Sequence, residues 1–153
     1  MAYQDDIKKA AALLLPWNKL SGCNILVTGA TGLIGGCLVD VLMAHKGRNY
    51  NVYASGRNEE RAGRRFLKYA DDNSFHFVKY DVAHPLEYDV NFQYIIHAAS
   101  GAYPEEFIKH PVEVIKGNIN GVDNLMGYGI QHGIKRLLYI SSGEVYGEGD
   151  GRV

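Results

Sequence analysis

Ile25-Leu26-Val27-Thr28-Gly29-Ala30-Thr31-Gly32-Leu33-Ile34-Gly35 is the stretch whose reading decides the fold. A short apolar run enters a glycine-spaced turn and leaves it as a helix. Backbone N–H groups at a helix N-terminus can grip a pyrophosphate only if no side chains hold the main chain away, so the turn reads as a phosphate cradle. Gly29, Gly32 and Gly35 remove those side chains, and Gly35 lets the helix approach the first strand. The spacing G-x-x-G-x-x-G is one residue wider in its first gap than the general dinucleotide fingerprint. Beyond the turn, Leu33, Ile34, Cys37, Leu38, Val41 and Leu42 predict one apolar stripe packed against a sheet.

Working outward, strands and helices alternate, the signature of a parallel sheet covered on both faces. Strands are expected over residues 24–28, 51–55, 75–80, 94–98 and 136–141, with helices over 33–44, 59–69 and 111–132. Right-handed crossovers give a doubly wound α/β sheet of order 3-2-1-4-5, Rossmann-like, with a ligand crevice beside strand one. Residues 1–20 read as an N-terminal helical arm and 21–153 as the dinucleotide-binding domain. The arm's helix is expected over 4–15, with Ile7, Ala11, Leu14 and Leu15 on one side and Pro16 ending it. Trp17 and Leu20 could pin it to the domain.

The chain has 153 residues, 46% hydrophobic and 22% charged, which suits one domain with a real core. A formal net charge of −1 gives no pull toward nucleic acid or anionic membrane, so a small-molecule partner is expected. No stretch is long enough to span a bilayer, and no signal-peptide pattern precedes the domain, so the expected compartment is cytoplasmic. Cys23 and Cys37 have no metal-ligand spacing and read as buried thiols, and no metal is assigned.

The wording TGATGLIG resembles the short-chain dehydrogenase/reductase superfamily in its extended branch, the NAD-dependent epimerase/dehydratase family of nucleotide-sugar enzymes. The resemblance implies that Gly29, Thr31, Gly32, Leu33, Ile34 and Gly35 surround the pyrophosphate of NAD or NADP. Strand two ends in Ala54-Ser55-Gly56-Arg57-Asn58, with no acid to bind both ribose hydroxyls before Glu59. Arg57 could pair with a 2′-phosphate, helped by Ser55, or stack on adenine, or it could be a solvated residue; the first reading leans toward NADP. Asp81-Val82 follows strand three, where the family's Asp accepts from the adenine amino group and the next side chain covers the ring. A plain turn residue is the alternative. His97-Ala98-Ala99-Ser100 resembles the family's H-x-A-x motif, whose small residues pass beneath the cofactor, while His97 itself reads as a packed strand residue. Asn118, inside the long helix, either positions the neighbouring strand or is an ordinary surface residue.

Tyr139-Ile140-Ser141-Ser142-Gly143-Glu144-Val145-Tyr146-Gly147 follows the last strand, where an open α/β sheet places its chemistry. The family residue matching Ser142 hydrogen-bonds the sugar oxygen being oxidised or reduced. A Glu matching Glu144 serves as acid or base in the dehydratase and decarboxylase branches. Ser100, Gly101, Pro104, His110-Pro111-Val112-Glu113 and Asn118 look more like the UDP-glucuronate decarboxylase type than the dTDP-glucose dehydratase type. The family also depends on a Tyr-x-x-x-Lys pair, and none of the 11 tyrosines has a lysine four residues later. The pattern is therefore that of the cofactor-binding part of a longer enzyme, with the sheet truncated after the fifth strand and the C-terminal substrate lobe absent. The expectation is dinucleotide binding without turnover, and self-association, as a homodimer, through an unpaired edge and an uncovered helix face. The rival reading is a non-catalytic dinucleotide-sensing or scaffold domain.

Overall fold

The computed structural model describes residues 2–100 and 104–147. Its centre is a five-stranded parallel sheet of β1 (Asn24–Thr28), β2 (Asn51–Gly56), β3 (Phe75–Lys79), β4 (Tyr94–His97) and β5 (Arg136–Tyr139). The order is β3-β2-β1-β4-β5, as the alternating pattern predicted. Helices α1 (Ala2–Ala11), α2 (Leu33–Ala44), α3 (Glu59–Phe66), α4 (Pro104–Lys109) and α5 (Pro111–His132) complete it. The register places Val27 opposite Ala54 on one side, and Thr28 opposite His97 on the other.

Side chains of a strand alternate between faces, so each central strand feeds two cores. On one face Ile25, Val27, Val52 and Ala54 pack with Val39, Leu42 and Met43 of α2 and Phe66 of α3. On the other, Leu26, Tyr53 and Ile95 pack with Phe92 and with Leu125 and Tyr128 of α5. Local signals set the helix limits. Asn58 caps α3 by accepting from the Arg61 N–H, Pro111 opens α5, and Gly133 closes it in the left-handed region at φ 68°.

Two expectations are corrected here. The buried face of α2 is Gly35, Gly36, Val39, Asp40, Leu42 and Met43, whereas Leu33 is 86% and Ile34 53% exposed. The paired glycines let the helix close on the turn below it, which rotates the bulkier residues outward. Helix α1 ends at Ala11 rather than running to Pro16. Ile7 and Ala11 are buried as expected, but Leu14 and Leu15 are exposed. Trp17 and Leu20 do pack against the first core, and Trp17 stacks on His45 with ring centroids 4.2 Å apart.

The arm is also held by charge. Asp40 is fully buried and accepts hydrogen bonds from Tyr3 (2.6 Å), Tyr69 (2.9 Å) and Arg65 (2.5 Å), with the Lys68 ammonium 2.9 Å away. Burial alone would raise its pKa, but the donors from Arg65, Tyr3, Lys68 and Tyr69 outweigh this and bring the carboxyl down to about 2. One buried carboxylate thus joins α1, α2, α3 and the turn that follows.

Candidate functional site

The candidate site lies along the carboxyl ends of the strands, where an open parallel sheet leaves a crevice at the point of strand-order reversal. Gly29 follows β1 at φ 65°, and a β-carbon there would stand 2.5 Å from the Ala98 carbonyl oxygen. Any side chain would collide with the main chain leaving β4. A β-carbon on Gly35 would strike the Gly29 carbonyl, so this glycine is what lets α2 start so close to the turn. The turn is pinned by Gly32 N–H to Gly29 C=O (2.9 Å) and Ala30 N–H to Ser55 C=O (3.0 Å).

No side chain caps α2 at Gly32. The Leu33, Ile34 and Gly35 N–H groups make no hydrogen bond to protein among the described residues. These are the unsatisfied first-turn donors of a helix, carrying the positive end of its dipole. Gly32, Leu33 and Ile34 are exposed around them. A pyrophosphate fits this place by its chemistry, because it accepts several N–H donors and needs the close approach that bare glycine permits.

The other predicted residues surround the same edge. Thr31 lies over the end of β2, 3.5 Å from where a β-carbon of Gly56 would be. Arg57 follows and is exposed, with no hydrogen-bond or ion-pair partner among the described residues. Ser55 is only 1% exposed, and strand alternation turns it toward the α5 face, so it does not reach outward beside Arg57 as expected. Asp81 is partly buried and accepts from the Ala83 N–H through Oδ1 (3.1 Å). Val82 is half-buried next to the α5-side core.

Ala98 and Ala99 leave β4 half-buried, and the Ser100 hydroxyl donates to Asn118 Oδ1 at 3.0 Å. Asn118 therefore faces the end of β4. His97 is fully buried, as expected of a packed strand residue. Its Nδ1 is 2.7 Å from Thr28 Oγ1, its ring stacks on Tyr139, and burial lowers its pKa, leaving the imidazole neutral. Ser142 is exposed two residues beyond Ile140, whose N–H bonds the His97 carbonyl (2.9 Å) and holds the end of β5 to β4. Glu144 belongs to the one-turn helix Gly143–Tyr146, and its side chain lies outside the described residues, as does Gly101.

Two contributors escaped the sequence reading. Gly121 of α5 leaves room for the imidazole, since a β-carbon there would be 3.1 Å from His97 Nε2. Asn124 donates to the Val82 carbonyl at 2.9 Å and fixes the segment after β3. They stand three residues apart, on neighbouring positions of one helix surface, a spacing that could have drawn attention to both.

A glycine turn with free helix donors, seated between β1 and β4, is the geometry against which relatives can be judged. The model of the NAD dependent epimerase/dehydratase family matches residues 25–152. The chain belongs to that family. Among curated relatives it is 33% identical over 132 residues to UDP-glucuronic acid decarboxylase 2 of Arabidopsis thaliana, covering 85% of this chain and 28% of that protein. It is 32% identical over 126 residues to UDP-glucuronic acid decarboxylase 1 of Danio rerio, covering 81% and 28%. Among solved structures, the dTDP-glucose 4,6-dehydratase of Streptomyces venezuelae with NAD bound aligns with a TM-score of 0.70 at 21% identity, over 84% of this chain and 42% of that one. The UDP-Glc/GlcNAc 4-epimerase of Campylobacter jejuni aligns at 0.67 and 21% identity, over 84% and 40%. The chain thus spans 28% of the length of both curated relatives. The match covers the doubly wound α/β part of this epimerase/dehydratase family.

Proposed function

We propose that this chain is the dinucleotide-binding portion of a nucleotide-sugar epimerase, dehydratase or decarboxylase that works through a transient 4-keto sugar. The observation that carries the reading is the uncapped start of α2 above a turn in which Gly29 has no room for a side chain. In this reading the Leu33, Ile34 and Gly35 amides and Thr31 hold the pyrophosphate, and Ala98, Ala99 and Ser100 floor the nicotinamide half. Asp81 has one oxygen bonded to the Ala83 N–H, and its second oxygen accepts from adenine while Val82 covers the ring. Asn118 keeps Ser100 in place. A bound nicotinamide supplies the hydride acceptor and donor.

Arg57, exposed at the end of β2, supports a lean toward NADP. Ser142 would orient the sugar oxygen, and Glu144 would move a proton at the carbon beside the keto group, a task that suits a carboxyl tuned toward working pH. The similarity to decarboxylases favours a nucleotide-linked uronic acid as the sugar. With no Tyr-x-x-x-Lys pair in these 153 residues, the chain binds without turning over. It is a homodimer in this reading, joined through the exposed face of α5 and the edge strand β5. The test is calorimetric titration with NAD, NADP and inorganic pyrophosphate. One-to-one binding of a dinucleotide, weakened by pyrophosphate, is expected; no binding of either dinucleotide overturns the reading.

A further inference from the structure

The opposite edge of the sheet has a concavity that the dinucleotide crevice does not use. In a parallel sheet all amino ends lie on one edge and all carboxyl ends on the other. β4 starts at Tyr94 and β5 at Arg136, so these residues stand at the far edge from Gly29, Ala98 and Ser142. The segment after α1 passes beside those strand starts and forms one wall of an open cavity of about 340 Å³. That volume is within the roughly 300–1,000 Å³ typical of small-molecule sites.

Its walls are apolar, from Leu15, Pro16, Trp17, Leu20 and the Tyr94 ring. They are also fixed. The Trp17 indole N–H donates to the Leu13 carbonyl at 2.9 Å, and the Tyr94 hydroxyl donates to the Lys19 carbonyl at 3.3 Å. The remaining lining residues are all cationic: Lys19, Lys135 and Arg136. The three are exposed, and no carboxylate lines the cavity. Among the described residues none of them forms an ion pair, whereas Arg64, Arg65, Lys68 and Lys109 of the helical segments do. The Lys135 ammonium donates to Cys23 Sγ at 3.7 Å and lies 5.9 Å from the centre of the Tyr94 ring, at the border of the apolar wall. Three like charges around one apolar hollow repel one another, and an anion seated there reverses the sign of that interaction. A bare inorganic anion would leave the walls unused, so the fitting ligand carries its charge on an apolar body.

We propose that this cavity is a second ligand site, separate from the dinucleotide crevice, for an organic anion: a carboxylate, sulfonate or phosphate on an aromatic or branched apolar body. Trp17 is the single tryptophan of the chain and lines the cavity, so it reports occupancy directly. The probe is 8-anilinonaphthalene-1-sulfonate, followed by energy transfer from Trp17. Saturable one-site binding is expected, unchanged by saturating NAD or NADP. Lys135→Glu with Arg136→Glu should weaken it by about tenfold or more while leaving dinucleotide binding intact, and uncharged N-phenyl-1-naphthylamine should bind about tenfold more weakly. Lys19→Glu alone should act in the same direction, which keeps the test available if the double variant does not fold. Equal affinity for charged and uncharged probes, insensitivity to the charge reversals, or displacement by dinucleotide would each overturn the proposal. Failure of dinucleotide binding itself would bear only on the crevice at the other edge.

Discussion

Gly29 and Ala98 approach so closely that a β-carbon on the first would lie 2.5 Å from the carbonyl oxygen of the second. The contact links the turn after β1 to the main chain after β4, the two segments between which the crevice opens. Gly29→Ala would impose both that collision and a left-handed backbone on a residue with a β-carbon. The expected cost is about 2–4 kcal/mol of stability, with dinucleotide binding lost in whatever folded protein remains. Urea denaturation and calorimetry read the two effects separately.

Asp40 offers a test of the polar node. Asp40→Asn leaves Arg65 and Lys68 without their carboxylate, but these side chains are 29% and 39% exposed, so water compensates in part. The expected loss is about 2–3 kcal/mol, below the range for a fully buried pair. The pH dependence has a definite sign. A carboxyl brought from 3.8 down to about 2 stabilises the fold above pH 4, and that contribution disappears as pH falls from 4 through 2. Tyr3 acts at the other end. Burial first, then its hydrogen bond to Asp40, raise its hydroxyl to about 12, so its contribution is held below pH 10 and lost as pH rises through 12. Acid denaturation should be less steep between pH 4 and 2 for Asp40→Asn than for the parent chain.

In the proposed reading, cofactor preference rests on Arg57. Replacing it with Ala should weaken NADP by about tenfold and change NAD by less than about threefold, the difference expected from removing one charge-assisted phosphate contact. Equal effects on both dinucleotides would assign Arg57 to the adenine instead.

Self-association is predicted from α5. Ile115, Ile119 and Ile130 are 58%, 64% and 74% exposed, and Leu138 of the neighbouring edge strand is 52% exposed. An apolar surface of this kind favours a second copy. Sedimentation should show a dimer, and Ile119→Lys with Ile130→Lys should shift it to monomer with little change in melting temperature. A monomeric parent chain would remove the dimer from the proposal.

The sequence is most legible where short-range chemistry punctuates it. The expected limits of β1, α2 and α5 coincide with the observed Asn24–Thr28, Leu33–Ala44 and Pro111–His132, because glycine or proline at their boundaries acts through the adjacent backbone alone. The placement of Gly29, Ser100, Asn118 and Ser142 along one edge follows from strand order in the same way. What local pattern does not carry is rotation and distant pairing. Leu33 and Ile34 have the spacing of an inward stripe, and only contact with the turn below turns them outward. The partners of Asp40 come from positions as distant as Tyr3 and Tyr69, so nothing around Asp40 announces that it is buried. Ser55 likewise reads as a crevice residue until the strand's alternation is anchored by its neighbours.

The carboxylate shared by Tyr3, Arg65, Lys68 and Tyr69 also bears on how the molecule opens. Because its donors come from separate segments, detaching the arm would strip a donor from a group that has no access to water. Fraying of α1 is thereby coupled to loosening around α2. In deuterium exchange, the interior amides of these two helices should become labelled together, as one cooperative unit, rather than the N-terminal segment exchanging alone.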